Sequence, residues 1–237
     1  MEWEGDDTVL DAGCGTGEIC MFISQQPGVA SVVGFDVSPD FVSYASQQNS
    51  STNILYHVAD VSDLSTIKPE WQGAFSKVVS FSVLHWVRDK VTALKALHSC
   101  LKPGGEIVMV FATDESKIIP NYLKMAAHPR WAIYFKDFSP NLFPWPSSDL
   151  VNHSSHLLEE CGFEVLSCHT KEHQHLFESE EKLRDTLFAM YPDLRYIPRN
   201  KHEEFLHDFE NMAREAQVIS EDCKITEFLS FVQARKL

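Results

Sequence analysis

Short runs of apolar and β-branched residues alternate with stretches of helical periodicity through the first half of the chain. Such alternation is typical of βαβ units built around a parallel sheet. The predicted strands are Thr8–Ala12, Ser31–Asp36, Ile54–Ala59, Lys77–Phe81 and Glu106–Phe111, and the predicted helices between them are Gly17–Gln26, Pro39–Gln48 and Asp89–Cys100. The pattern therefore predicts an α/β fold with a parallel sheet.

Two of these helix boundaries carry strong local signals. Ser38 is a favourable N-cap residue and precedes a proline at the first helical position. The segment LKPGG at 101–105 predicts the end of the preceding helix, before a buried strand begins.

The second half of the chain departs from this alternation. Residues 112–148 are rich in prolines and aromatic residues, and they predict an insertion over the sheet edge that is helical in its first part. The later pattern predicts a helix at Asp149–Cys161, a strand from Phe163 to about His173, two amphipathic helices within 178–217 and a last strand at Ile225–Gln233. We expect a single domain over residues 1–237, with a cofactor half at about 1–111 and acceptor-site insertions at about 112–148 and 174–217.

Composition narrows the possible partners. The formal net charge is −14, and no cluster of lysines and arginines stands out, so we expect no nucleic-acid partner. No apolar run approaches the length of a membrane span. The acidic start MEWEGDD and six scattered cysteines without metal-ligand spacing predict a cytoplasmic protein with reduced thiols and no metal site.

The segment TVLDAGCGTGE at 8–18 places Gly13, Gly15 and Gly17 after the first predicted strand. A dinucleotide fingerprint needs its third glycine one position later, and a P-loop needs a lysine followed by serine or threonine. S-adenosylmethionine suits the observed spacing, because its ammonium and sulfonium are stabilised by a nearby carboxylate. The loop therefore predicts S-adenosylmethionine as cofactor, although a tight turn without a ligand is the simpler alternative.

Acidic residues at three successive strand ends extend this cofactor site. We expect Asp11 to face the cationic part of the cofactor and Asp36 to accept from the ribose hydroxyls. Asp60 is placed to accept from the adenine amine, although it could instead cap a helix. Val61 is expected to supply a backbone N–H and an apolar wall, and the predicted cofactor contacts also include Val37 and Ser80.

The segment SFSVLHW at 80–86 follows the fourth predicted strand, where the acceptor is expected. It lacks the Asn/Asp-Pro-Pro-aromatic motif of enzymes that methylate amide or base nitrogens. A carboxylate acceptor is ionised at pH 7 and needs positioning alone, whereas a hydroxyl acceptor needs a base, for which His85 is the candidate. We assign His85 and Trp86 as candidate catalytic residues, although both could instead pack at a strand end.

Aromatic residues of the insertion are candidates for the wall of an apolar substrate pocket. Most of the set belongs to the core by burial tendency, and the candidates for contact with substrate, together with Trp86, are Trp131, Tyr134 and Phe138.

Several segments together resemble the juvenile hormone acid O-methyltransferase family of class I methyltransferases. They are VLDAGCGTGE, GFDVSPDFVSYA, FSVLHWV and LKPGGE, followed by HPRWAIYFKDF, EECGFEVLSC and YPDLRYIPRNKHEEFLHDF. The similarity extends from about residue 8 to about residue 233. The family's usual N-terminal helical segment, which helps to cover cofactor and acceptor, is missing ahead of the glycine loop.

The resemblance implies a seven-stranded, Rossmann-like sheet with helices on both faces, an antiparallel last strand and a helical, aromatic cap. It implies methyl ester formation on small hydrophobic acids, of the farnesoic acid and juvenile hormone acid type, with S-adenosylmethionine as donor. The cofactor contacts would be Asp11, Gly13, Gly15, Gly17, Asp36, Asp60 and Val61, with Trp86 in the acceptor site. Two alternatives stay open: a methyltransferase for another small acid or alcohol with His85 as base, and a non-catalytic protein that binds the acid or the cofactor.

Overall fold

The computed structural model describes residues 1–135, 143–146, 150–190, 194 and 196–237. The chain divides into two compact units. Unit 1 comprises Met1–Ala112, Phe143–Thr170 and Ser230–Leu237, and unit 2 comprises Thr113–Leu142 and Lys171–Leu229. The expectation of a single domain over 1–237 stays a prediction.

Seven strands form one sheet in the order β3-β2-β1-β4-β5-β7-β6. Their bounds are Asp7–Ala12 (β1), Val29–Asp36 (β2), Ile54–Val58 (β3), Phe75–Phe81 (β4), Leu101–Ala112 (β5), Phe163–Leu176 (β6) and Lys224–Lys236 (β7). The strands β1 to β5 pair in parallel at every contact between neighbours. The strands β2 and β3 lie on one side of β1, and β4 and β5 lie on the other. This arrangement confirms the predicted Rossmann-like α/β class.

Seven α-helices connect the strands among the described residues. They are Glu18–Ser24 (α1), Pro39–Gln48 (α2), Lys90–Cys100 (α3), Ile118–Ala127 (α4), Leu150–Glu160 (α5), Glu180–Met190 (α6) and His202–Glu215 (α7). The bounds of α2 are those predicted, and the Ser38 side chain caps it by accepting from the N–H of Phe41 over 3.3 Å.

Successive residues of the central strands enter different hydrophobic clusters, because a strand turns its side chains alternately to the two faces of the sheet. Leu10 and Val78 pack in a cluster with Leu94 of α3, whereas Val9 and Val79 pack in a second cluster with residues of α1. Helices therefore cover both faces of the sheet in unit 1, which is why its inner strands are apolar on both sides.

One strand begins earlier than the sequence predicts. The helix before LKPGG ends at Cys100 as expected, yet β5 starts at Leu101 and includes the proline and both glycines. Leu101 pairs with Phe75 and Glu106 pairs with Lys77, so the residues between them form an irregularity that the strand accommodates. Gly104 permits it with a φ of 74°.

Candidate cofactor and acceptor site

The glycine loop joins β1 to α1 at the carboxyl edge of the sheet, where parallel α/β sheets bind their ligands. Gly13, Gly15 and Gly17 have φ values of 81°, 53° and 85°, a region that residues with a Cβ rarely adopt. The N–H groups of Gly13 and Cys14 both donate to the carbonyl of Phe35, over 2.8 and 2.9 Å. The loop is thereby tied to the end of β2.

The three glycines face different surroundings. A Cβ on Gly13 would collide with the side chain of Val83, and one on Gly17 would lie 2.5 Å from Tyr56 Oη. A Cβ on Gly15 would meet no atom within 4 Å. Gly13 and Gly17 are therefore required by packing, whereas the backbone at Gly15 faces open space that a ligand can approach closely.

Asp36, the last residue of β2, accepts two backbone hydrogen bonds. Its Oδ2 accepts from the N–H of Gly15 over 3.0 Å, and its Oδ1 accepts from the N–H of Ser38 over 2.9 Å. Burial raises the pKa of this carboxyl, against the lowering effect of these bonds. A carboxylate oxygen has two lone pairs, so each oxygen keeps capacity for a further donor such as a ribose hydroxyl.

Asp11 is the last residue but one of β1 and is buried, with 1% of its surface exposed. Burial raises the pKa of its carboxyl from 3.8 to about 7, although the Cys20 thiol donates to Oδ2 over 3.1 Å and opposes that rise. None of the ion pairs among the described residues includes Asp11. A buried carboxylate of this kind is stabilised by a cationic ligand, which the sulfonium and ammonium of S-adenosylmethionine supply.

The surroundings of the remaining predicted cofactor contacts point less clearly to a ligand than those of Asp11 and Asp36. Asp60 Oδ1 accepts from both the N–H and the hydroxyl of Ser62, over 2.8 and 2.6 Å, so it stabilises its own turn. Val61 is 5% exposed, whereas Val37, next to Asp36, is 64% exposed. The roles of all three toward the cofactor stay predictions.

Ser80 has a structural partner in this arrangement. The residue is 1% exposed, and its hydroxyl donates to the carbonyl of Ala12 over 3.0 Å. This bond joins the ends of β4 and β1 beneath the glycine loop. The hydroxyl of Ser80 therefore holds the base of the loop, and its predicted cofactor contact stays a prediction.

His85 lies in a short 3-10 turn, Leu84–Trp86, after β4, and it is buried. Its Nδ1 accepts from the backbone N–H of Ala112 at the end of β5, over 3.3 Å. Burial, aided by the nearby Lys90, lowers the pKa of His85 to about 4. The imidazole is therefore neutral at pH 7 and its only lone pair faces a backbone donor, which is unfavourable for a general base.

Trp86 is half-buried at the end of the same turn, with its ring 5.3 Å from that of His85. Val83, one residue before the turn, occupies the space above Gly13. The turn that carries Trp86 is thus adjacent to the glycine loop within unit 1. A role of Trp86 in acceptor binding stays a prediction that this placement allows.

The aromatic candidates of the insertion lie in unit 2. Trp131 is 0% exposed, donates from Nε1 to Asp208 Oδ2 over 2.9 Å, and packs edge-on against Phe205. The expected substrate contact of Trp131 stays a prediction, and in this structure packing leaves none of its surface accessible. Tyr134 is half-buried and stays a candidate, and Phe138 lies outside the described residues.

Sequence reasoning missed the side chains that hold the loop. Asn49 Nδ2 donates to the carbonyl of Thr16 over 2.9 Å, and Tyr56 Oη donates to the carbonyl of Asn49 over 2.8 Å. Asn49 and Thr16 are 33 residues apart in the chain, so local periodicity carries no signal for their contact. The position of Asn49 just after α2, typical of a helix C-cap, was the available hint.

Other expectations concern metals, thiols and membranes. Within the described part of the chain, no group of three or more potential ligands could hold a metal ion. All six cysteines are free. In the same residues, no helix combines the length and apolar character that crossing a bilayer requires.

Known proteins that are similar to this chain are methyltransferases for the most part. A family model described as a methyltransferase domain matches residues 9–105, which contain the glycine loop, the three strand-end acids and Trp86. The chain is 29% identical over 216 residues to a juvenile hormone acid O-methyltransferase of Drosophila melanogaster, covering 88% of this chain and 72% of the relative. The relative of that name from Bombyx mori is 22% identical over 216 residues, with coverages of 90% and 76%.

Two further similarities bear on how far the resemblance reaches. Arginine-hydroxylase NDUFAF5 of Homo sapiens is 30% identical over 184 residues, which are 76% of this chain and 49% of that protein. An S-adenosylmethionine-dependent methyltransferase from Mesorhizobium loti superimposes with a TM-score of 0.55 at 19% identity, covering 100% of this chain and 94% of the other. The second likeness supports the fold, and the first shows that similarity in this range does not define the acceptor.

Proposed function

We propose that this chain, an S-adenosylmethionine-dependent methyltransferase, methylates the carboxylate of a small hydrophobic acid. The acid is of the farnesoic acid or juvenile hormone acid type, and the product is its methyl ester. Similarity to the relatives from Drosophila melanogaster and Bombyx mori supports this acceptor class. A cytoplasmic location is part of the proposal and rests on the free cysteines.

Residues in the glycine loop and at the neighbouring strand ends have the chemistry that the cofactor requires. Asp36 would accept from the ribose hydroxyls, Asp11 would stabilise the cationic end, and the backbone at Gly15 would be approached closely. Asp60 and Val61 would contact the adenine. The cofactor supplies a methyl group activated by its sulfonium, and the chain supplies its orientation.

The state of His85 is the single observation that carries the choice of a carboxylate. Its one lone pair accepts from the N–H of Ala112, and the pKa of the imidazole is lowered to about 4. A hydroxyl acceptor would have to lose its proton to a base, whereas a carboxylic acid with a pKa of roughly 4–5 is already ionised at pH 7. A turn in which the histidine lone pair is engaged therefore suits the acceptor that needs no base.

The transfer itself requires few groups on the enzyme. S-adenosylmethionine, held by Asp11, Asp36 and the backbone at Gly15, would supply a methyl group that a carboxylate oxygen can accept. Because the carboxylate is already ionised, the chain would have no proton to remove. The protein contributes alignment and exclusion of water, with reacting atoms about 3–3.5 Å apart.

A matched pair of acceptors tests the proposal. Farnesoic acid and farnesol share a carbon skeleton and differ in the oxygen function, so one enzyme preparation can be offered each with S-adenosylmethionine. We expect the methyl ester from the acid and no methyl ether from the alcohol, as measured by mass spectrometry. Methylation of the alcohol, or of an unrelated acceptor in place of the acid, would overturn the assignment.

A further inference from the structure

Lys90, the first residue of α3, places its ammonium between two backbone segments of unit 1. Its Nζ donates to the carbonyl of Val87 over 3.0 Å and to the carbonyl of Phe143 over 2.6 Å. The same nitrogen lies 5.7 Å from the centroid of the Trp145 ring, within the range of a cation–π contact. We call residues 143–146 the brace.

The brace contacts the turn Leu84–Trp86 directly. The N–H of Phe143 donates to the carbonyl of His85 over 2.6 Å, and the guanidinium of Arg88 lies 4.8 Å from the Phe143 ring centroid. At its other end Trp145 is fully buried and stacks on Phe111 of β5, with ring centroids 4.6 Å apart. The brace therefore joins the turn Leu84–Trp86 to the end of β5.

The position of Lys90 is not explained by helix stability. A cation in the first turn of a helix is opposed by the helix dipole. Burial lowers the pKa of Lys90 to about 8. Lys90 forms no ion pair with any residue that the structure describes. The adjacent Asp89 accepts from the N–H of Thr92 as the helix cap, over 3.0 Å. Among the residues that the structure describes, the two carbonyls and the Trp145 ring thus hold the ammonium.

We propose that Lys90 is a positioning residue that holds the brace against the turn Leu84–Trp86 and so sets the place of Trp86 beside the glycine loop. The inference rests on the proposed function, in which Trp86 contacts the acceptor. In-line methyl transfer depends on alignment, and displacement of reacting groups by about 1 Å costs up to roughly 10²-fold in rate. Loss of the Lys90 contacts would therefore impair transfer to the acceptor without altering the groups that bind the cofactor.

Three variants of the full chain test this assignment. Lys90→Met keeps the length of the side chain and removes the donors, Lys90→Gln keeps a donor, and Lys95→Met makes the same change at an exposed position of the same helix. Two measurements are made on each: hydrogen exchange of peptides covering residues 83–88, and steady-state kinetics with the hydrophobic acid and with S-adenosylmethionine.

For Lys90→Met we expect faster exchange in residues 83–88 and a loss of about tenfold or more in kcat/KM for the acid, with the Kd of S-adenosylhomocysteine within about twofold of the wild type. Lys90→Gln should recover part of both losses, and Lys95→Met should match the wild type. Wild-type exchange and kinetics in Lys90→Met would overturn the proposal, as would equal losses in acid turnover and cofactor binding. If Lys90→Met does not fold, the same two measurements on Lys90→Gln, hydrogen exchange and kinetics, test the proposal.

The two proposals fail in different ways. If the wild-type protein methylates no carboxylic acid, the proposed function is wrong. The exchange of residues 83–88 still reports whether Lys90 holds the turn, because that measurement requires no acceptor.

Discussion

The Asp36 carboxylate accepts a hydrogen bond from the backbone N–H of Gly15 over 3.0 Å. One side chain at the end of β2 thus holds the middle of the glycine loop, and under the proposed function the same carboxylate would accept from the ribose hydroxyls. Loop shape and cofactor binding would then be coupled through Asp36, so changes at either residue should affect both.

Replacement of Asp36 by alanine should weaken cofactor binding strongly. A hydrogen bond to a charged group contributes about 1.5–3 kcal/mol, which corresponds to at least a tenfold rise in the Kd of S-adenosylhomocysteine. Titration calorimetry gives this value directly. The control is Asp40→Ala, at an exposed position in the first turn of α2, which should change the Kd by no more than about twofold. Equal effects at the two positions would contradict the role of Asp36.

Alanine at Gly13 and at Gly15 should produce opposite patterns. Gly13→Ala forces a Cβ into the Val83 side chain, so we expect a loss of stability of roughly 1–3 kcal/mol from overpacking, in addition to backbone strain. Gly15→Ala adds a Cβ to open space, so its stability loss should be limited to about 1–2 kcal/mol of backbone strain, while the cofactor Kd rises. Thermal unfolding and calorimetry separate the two effects. Unchanged cofactor binding by a folded Gly15→Ala variant would show that the open space is not the cofactor site.

The raised pKa of Asp11, about 7, predicts that cofactor binding depends on pH. Below pH 7 the carboxyl is protonated and offers no charge to the cofactor ammonium, so the Kd should rise as the pH falls from 8 to 6, by at most about tenfold per pH unit. In the free protein the folded state binds more protons than the unfolded state between pH 4 and 7. The free energy of unfolding should therefore fall as the pH rises through that interval.

Cys20 provides the matched test of this dependence. Its thiol donates to Asp11 and lowers the pKa of that carboxyl. Cys20→Ala should therefore shift the binding profile to higher pH, whereas Cys20→Ser keeps a donor and should shift it less. If the pH profile of cofactor binding is the same in both variants as in the wild type, a group other than Asp11 causes the pH dependence.

Replacement of His85 by asparagine should separate the two acceptor chemistries. The asparagine Oδ1 can replace Nδ1 as acceptor for the N–H of Ala112, so the turn should keep its place. We expect turnover of the acid to stay within a few-fold of the wild type, because no proton is removed. A general base contributes about 10²–10⁴-fold, so a loss of that size in a folded variant would identify His85 as a base.

The sheet and its carboxyl edge could be predicted because the signals are local. Apolar runs before Asp11 and Asp36 mark the first two strands, and a glycine loop follows the first of them. These local features are enough to locate the carboxyl edge of the sheet. The bounds of α2 follow from Ser38 and Pro39 alone. The early start of β5 was not predicted, because proline and glycine are usually excluded from the interior of a strand. The pairing of Leu101 with Phe75 accommodates the irregularity that these residues cause.

The acceptor side was harder to predict because long-range packing decides it. Trp131 is a residue type that is common in the walls of apolar pockets, yet its contacts with Phe205 and Asp208 bury it in unit 2. The partner of His85 lies at the end of β5, and Lys90 reaches a carbonyl 53 residues further along the chain. Periodicity cannot reveal contacts of this kind, since it reports which face is apolar and not what covers that face.

The methylated oxygen of the acceptor distinguishes a carboxyl methyltransferase from an enzyme that methylates hydroxyl groups. Incubation of the protein with farnesoic acid and S-adenosylmethionine that carries a deuterated methyl group, followed by mass spectrometry, identifies the product and the source of its methyl carbon. We predict a methyl ester that contains the label and releases the parent acid on mild alkaline hydrolysis. Labelled product on a hydroxyl group, or no transfer to the acid by protein that binds S-adenosylhomocysteine, would contradict the account.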